Sequence, residues 1–446
     1  MKQDNQIVTG TIYKQILIFF FPILIGTFFQ QMYNTIDAVI VGNFAGKEAL
    51  SSVGGSSAII INLVVGFFTG LTAGCTVMIS QYFGGKREDE LSDALHTAYA
   101  FGIVGGIVLG IAGFLICPYV LVWMKTPDEL LSQSALYLRI YFAGLVFVFI
   151  YNMGASILRA VGDSKRPLYY LIVSSVVNIV FDLIFVLVFR WGVMGVAVAT
   201  MMSQAASAIL VTMTLMRGTL GMKLDIRRIR FHKRLFGSMI KIGLPSGIQS
   251  STYSLSNVII QSAINGLGID TVAAWTSYGK IDVIFWMING SFGIAAATFV
   301  GQNVGAGRYD RVRKGTMTCL LMSATVAMVM SAILLTLGRP LLMMFVKEEA
   351  VIETGLRMIS KLAPFYAVFT FIEIFSASLR AQGDTLIPTA INLIGICAIR
   401  AVWLLIIFRD GTLNQILYCY PVSWLISATA MTGYYFYRRK RRFVPK

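Results

Sequence analysis

One carboxylate stands alone in a long apolar run. From Pro167 to Arg190 the chain reads PLYYLIVSSVVNIVFDLIFVLVFR, and its only acid is Asp182, with the amide of Asn178 four residues earlier. On a helix, positions i and i+4 share a face, so both groups point to one side. A lone Asp at mid-membrane depth costs several kcal/mol, so it must look into a bundle interior or a wet cavity. Two nearby groups can meet it there: Asp37, the only acid of the first apolar segment, and Thr200, in the segment that follows. Carboxylate, amide and hydroxyl oxygens together suit a hard cation such as Na+. A carboxylate in an apolar site can equally carry a proton. Either way the four residues make an ion site, with Na+ as the only metal it implies; a purely structural hydrogen-bond network is the alternative. Asp37 has a second possible setting near the outer headgroups, because Gly42 looks like the start of a loop.

Further intramembrane charges lie later in the chain: Lys280 and Asp282 in YGKIDVIFW, Glu373 in FTFIEIFSASLR and Arg400 in GICAIRAVW. Two acids and two bases can pair off, which is how such charges are usually tolerated; a substrate- or proton-linked role is the other reading. Tyr33, Phe285, Trp286 and Phe365 can hold organic cations by cation–π contact or serve as packing.

The elements that must position these groups are transmembrane helices. The chain has 446 residues, 57% apolar and 13% charged, against about 45–50% and about 25% in soluble domains. Twelve apolar runs of membrane-crossing length begin near Ile12, Ser51, Asp93, Ser132, Pro167, Val193, Ser238, Ser277, Thr316, Arg357, Ile387 and Leu413. They lack the alternation of a barrel strand, so the fold class is an all-α integral membrane protein. The net charge of +16 might suggest nucleic acid, but most of the 37 Lys and Arg fall on one side of a twelve-span topology. That bias puts both termini in the cytoplasm and the protein in the cytoplasmic membrane. The tail RRKRR (Arg438 to Arg442) is expected on anionic headgroups. The start MKQDNQ leads into a first segment with no small-residue cleavage site, as in an uncleaved signal anchor.

No phosphate-loop pattern G-x-x-x-x-G-K-[ST] occurs, which removes the usual primary pump. His96 and His232 form no metal motif, the five cysteines show no metal or redox spacing, and no Ser or Cys nucleophile has an evident base. The expectation is a protein that is not an enzyme and has no cofactor.

The chain also duplicates. LRAVGDSKRP at 158–167 answers LRAQGDTLIP at 379–388, and ISQYFGGKR at 79–87 answers VGQNVGAGR at 300–308, both offset by 221; Pro22 pairs with Pro245, offset by 223. Six spans per half is an even number, so the repeats run parallel, an arrangement that holds substrate between two lobes. The expected division is an N-terminal six-helix lobe at 1–216, a cytoplasmic linker at 217–237 and a C-terminal lobe at 238–446. The matched GGKRED and GAGRYDR loops are read as sharp turns that use glycine. Pro22 and Pro245 interrupt the first helix of each lobe. Pro22 is either a static kink or a hinge; Pro245 reads as a static kink.

Together, the duplication, the FP…Q…YNTIDAVIVG opening, the paired LRA.GD turns and FVGQN.GAGR resemble the multidrug and toxic-compound extrusion (MATE) family over essentially the whole chain. The resemblance implies a V-shaped pair of pseudo-symmetric six-helix lobes. It also implies a monomeric antiporter that exports cationic, amphipathic small molecules against Na+ or H+. It carries the ion site onto Asp37, Asn178, Asp182 and Thr200, and the bending proline onto Pro22. Some members have an acid in the seventh helix; 238–266 has none here, so a C-lobe proton route would fall to Glu373 or Asp282. A flippase for lipid-linked oligosaccharide, of related architecture, is the alternative function.

Overall fold

The structure is a computed structural model and describes residues 5–218, 221–406 and 411–442, with side chains to 439. The start MKQD and the side chains of Lys440 to Arg442 lie outside the described residues. After a short helix, Gln6–Thr9, the chain forms α1 (Ile12–Ala45), α2 (Lys47–Gly84), α3 (Glu88–Trp123), α4 (Asp128–Ala143 with Leu145–Ala160), α5 (Lys165–Val188) and α6 (Gly192–Arg217). There follow α7 (Lys233–Asn265), α8 (Ile269–Gly305), α9 (Tyr309–Met343), α10 (Glu349–Ala381), α11 (Leu386–Ile406) and α12 (Leu413–Arg442). Among the described residues, nine of these are long and apolar enough to cross a membrane, and α4, bent by 50°, is a tenth when its two halves count as one span. α7 and α12 have 33 and 30 residues but are less apolar. Each of the twelve apolar runs falls inside one of these helices.

Helix is the form these runs must take, since lipid offers the backbone no hydrogen-bond partner. The helices overrun the apolar stretches because charged residues also suit a helix end. α3 opens on Glu88, Asp89 and Glu90, and α10 on Glu349, where carboxylates favour the positive end of the helix dipole. Gly42 is not a loop. The helix continues through it as a π-type turn, Val41–Ala45, and stops at Gly46, whose φ of 91° is left-handed. Asp37 therefore lies more than one turn inside α1 rather than at a frayed end.

The repeat is visible in the backbone. The left-handed position of the second matched loop is Gly307 (φ 69°), and 221 residues earlier it is Lys86 (φ 55°). The turn is conserved between halves, but in the first half the strained residue is the lysine, not either glycine.

The chain separates into two compact units, Phe21–Gly247 and Asn5–Phe20 with Ile248–Lys446. In the first, Phe68 stacks on Phe149 at 3.5 Å between centroids. α2 and the start of α7 touch through backbone: a Cβ on Gly74 would lie 2.1 Å from the Met239 carbonyl oxygen, and one on Gly243 would lie 2.3 Å from that of Leu71. Small residues four apart on both helices permit this approach. The segment before α7 lies on α3: the Asp225 backbone N–H donates to His96 Nε2 (3.0 Å) and the His232 N–H to Thr97 Oγ1 (3.2 Å). Both histidines thus have structural partners.

In the second unit the leading segment is tied down by the VGQN motif and by Arg311. Asn5 Nδ2 donates to Gln302 Oε1 (3.0 Å), and Arg311 Nη2 donates to the carbonyls of Ile7 (3.1 Å) and Gly10 (2.6 Å). Asp384 of the LRAQGD turn accepts from Tyr434 (2.6 Å) and Arg438 Nε (2.8 Å) of α12. Arg438, the first residue of the basic tail, also fixes the last helix to this turn.

Candidate ion site and intramembrane charges

α5 delivers Asn178 and Asp182 one turn apart, and both are fully buried, at 0% exposure. With both acids ionised, neither oxygen of Asp182, neither polar atom of Asn178 nor Oδ1 of Asp37 has a hydrogen-bond partner among the described residues. Buried polar groups are nearly always paired, because leaving one unpaired costs about 1–3 kcal/mol. Five such atoms on three residues of one unit are a concentration that packing alone does not explain.

Asp37 comes to this place from α1. Its flanking residues Ile36 and Ile40 pack with Val41, Val186, Val193, Val196 and Tyr137, an apolar layer drawn from α1, α4, α5 and α6. The Asp37 and Asp182 carboxyl groups lie within reach of each other, so they repel when both are ionised and can share a hydrogen bond when one is protonated. Immediately after Asp182 the helix widens into a π-type turn, Leu183–Val188; single π turns within α-helices occur often at functional sites. Thr200 lies on α6, which packs against α5, and is buried at 7% exposure. Its hydroxyl donates to the Val196 carbonyl (2.9 Å), which leaves the oxygen's lone pairs as acceptors.

Two neighbours escaped the sequence reading of the site. Tyr33 is near enough to Asp37 and Asp182 for their charges to act on its hydroxyl, and Gln204, whose Oε1 is buried without a partner, lies beside it. Tyr33 is four residues before Asp37, and Gln204 four after Thr200, so the same helical spacing that paired Asn178 with Asp182 would have found both. Gln31 and Asn34, in the turns before Asp37, are exposed. Among the described residues no group of three or more His, Cys, Asp or Glu could hold a metal. Two carboxylates among neutral oxygens can hold a hard cation or a proton.

The charges of the second unit do not pair off with one another. Lys280 is exposed on α8. Glu373 is 3.7 Å from Arg380, its neighbour two turns on in α10. Asp282 is held by neutral donors instead: Tyr278 Oη (3.1 Å), Trp286 Nε1 (2.6 Å) and the Tyr366 hydroxyl. Arg400 donates from Nε to Ser423 Oγ (3.3 Å) and stacks over Tyr420 at 4.1 Å from the ring centroid. No acid lies within 4 Å of Arg400 or Lys280 among the described residues. Of the aromatics singled out, Phe285 stacks on Tyr366 at 4.0 Å as packing, while Trp286 is a ligand of Asp282.

Known proteins place this architecture. A family model described as MatE matches the chain twice, over 22–184 and 245–405, so the two matches begin on Pro22 and Pro245. The "Probable multidrug resistance protein YoeA" of Bacillus subtilis (strain 168) is 26% identical over 98% of this chain and 96% of its own length. The "Probable multidrug resistance protein YpnP" of the same organism is 28% identical over 88% and 87%. A solved structure described as the outward-facing conformation of a multidrug resistance MATE family transporter superposes with a TM-score of 0.90 over 98% of both chains, at 19% identity. That likeness speaks to the fold. A duplicated all-helical membrane protein whose two halves each match the family model, this chain belongs to the MATE family of multidrug efflux transporters.

Proposed function

We propose that the protein is a secondary antiporter of the cytoplasmic membrane, exporting cationic amphipathic molecules in exchange for Na+ or H+ bound at Asp37, Asn178, Asp182 and Thr200. The observation that carries this reading is the set of buried oxygens without partners on Asp37, Asn178 and Asp182. A site that is costly when empty is one whose occupancy shifts a conformational equilibrium. The ion enters from outside, stabilises a state of lower drug affinity, and leaves to the cytoplasm after the lobes reverse. Coupling is reciprocal, so drug weakens ion binding by the same factor. Tyr33 and Gln204 orient the site.

The functional lobes are 1–216 and 238–446, joined by the cytoplasmic linker 217–237; both termini are cytoplasmic and the monomer is the working unit. Pro22 is the hinge. It has no N–H to offer the Ile18 carbonyl, so bending α1 there breaks no backbone bond.

The test is efflux of a fluorescent organic cation from proteoliposomes, with Na+ and pH gradients imposed separately. Efflux driven by one gradient and lost in Asp182→Asn is the expected result, and it names the ion. No response to either gradient in a folded protein would sink the antiport reading and favour a flippase of lipid-linked oligosaccharide.

A further inference from the structure

The second unit contains a cavity of about 420 Å³, between α7, α8, α10, α11 and α12, that the ion site does not use. Its size falls in the range of small-molecule sites, about 300–1,000 Å³. Aromatic rings form much of its wall: Trp275 lies 6.1 Å from Tyr420, Tyr420 lies 5.7 Å from Trp424, and Trp424 lies 6.3 Å from Trp286. Asp282 and Arg400 both line it.

The two charges are not equivalent. Asp282 already accepts from two phenols and an indole, one oxygen taking both hydroxyls and the other the Trp286 N–H. Arg400 is 94% buried by its 6% exposure, yet of its five N–H donors only Nε has a side-chain partner, Ser423. Its remaining nitrogens are not among the buried atoms without partners, which leaves them open to the cavity. Packing against Tyr420 holds the guanidinium plane in place. An aromatic box commonly takes a cation, but here Arg400 already covers the Tyr420 face and repels a second positive charge. Asp282 is engaged by its own donors, so the group left without a counter-ion is Arg400, and the ligand that would suit it is an anion with a flat apolar body.

We propose that this cavity is a ligand site for aromatic carboxylates, with Arg400 pairing the carboxylate and the Trp275, Trp286 and Trp424 rings holding the aromatic body. Planar, bidentate recognition of a carboxylate is what a fixed guanidinium does best. The site goes beyond the antiport reading. It extends the ligands of the protein from cations to anions and zwitterions, and places them in the unit without the acid pair.

The test is a charge series on one ring, measured by isothermal titration calorimetry on the full-length protein in detergent: 2-naphthoate, 2-naphthamide and 2-naphthylmethylammonium. No ion gradient is present, so the result is independent of the antiport reading. The expected result is that 2-naphthoate binds at least about tenfold more tightly than the other two. Arg400→Lys should keep a reduced preference, because it retains charge without the planar fork, and Arg400→Gln should lose it. If Arg400→Gln does not fold, the wild-type series and Arg400→Lys decide. Equal binding of the three probes, tighter binding of the ammonium, or an undiminished preference in a folded, monodisperse Arg400→Gln protein would overturn the proposal.

Discussion

Asp182 and Asp282 are both acids on membrane-spanning helices, each in one of two units that descend from the same repeat, and their surroundings are opposite. Around Asp182 no neutral or cationic donor reaches either carboxylate oxygen; its one partner within reach is a second acid, Asp37, and both polar atoms of Asn178 are unpaired as well. Around Asp282 three donors close in from α8 and α10. The first arrangement leaves its charge without an opposite charge or donor; the second has supplied its own hydrogen-bond partners. One scaffold therefore carries an unsatisfied polar cluster, the proposed ion site, in one half and a satisfied network in the other, and the difference lies in a few side chains rather than in the helices.

The largest effect should come from removing the acid of the proposed ion site. Asp182→Asn is expected to reduce gradient-driven dye efflux to the level of empty liposomes while the melting temperature holds or rises, since an unpaired buried carboxylate is a stability cost. Asp282→Ala should do the reverse. It leaves two phenols and an indole without their acceptor, at about 1–3 kcal/mol for each group left unpaired, so the melting temperature falls while the residual efflux keeps its ion dependence. If Asp282→Ala erased the ion response without loss of stability, the contrast between the units would be gone.

Two smaller changes sharpen the comparison. Gly74→Val pushes a side chain into the backbone of α7 within the first unit and should cost about 1–3 kcal/mol, the range for overpacking, measured by thermal melting. Pro22→Ala restores a backbone donor to α1 without touching the acids. As a hinge it should slow transport severalfold at unchanged stability and unchanged ion preference; normal rates would make it a static kink.

Much of the site was legible because it obeys helical spacing. Asn178 and Asp182 announce themselves as i, i+4 polar residues in an apolar run, and the same rule extends to Tyr33 with Asp37 and Thr200 with Gln204. The pairing of Lys280, Asp282, Glu373 and Arg400 was a guess from charge balance, and it failed for a physical reason. Neutral Tyr and Trp donors satisfy the oxygens of a buried carboxylate without any cation, and no charge count reveals them. Arg380, two turns on in the LRAQGD motif, is the cation beside Glu373.

The sequence by itself determined the class, the duplication, the twelve helical runs and the acids, because lipid forbids unpaired backbone and makes every charge conspicuous. It also determined the family. Which polar atoms remain unpaired, that α1 runs on past Gly42 to Gly46, that Lys86 takes the left-handed turn and that Arg400 opens into a cavity were decided only by the tertiary structure. Those facts depend on which donor from a distant helix arrives within hydrogen-bonding distance, and such distances follow from packing, not from the order of residues along the chain.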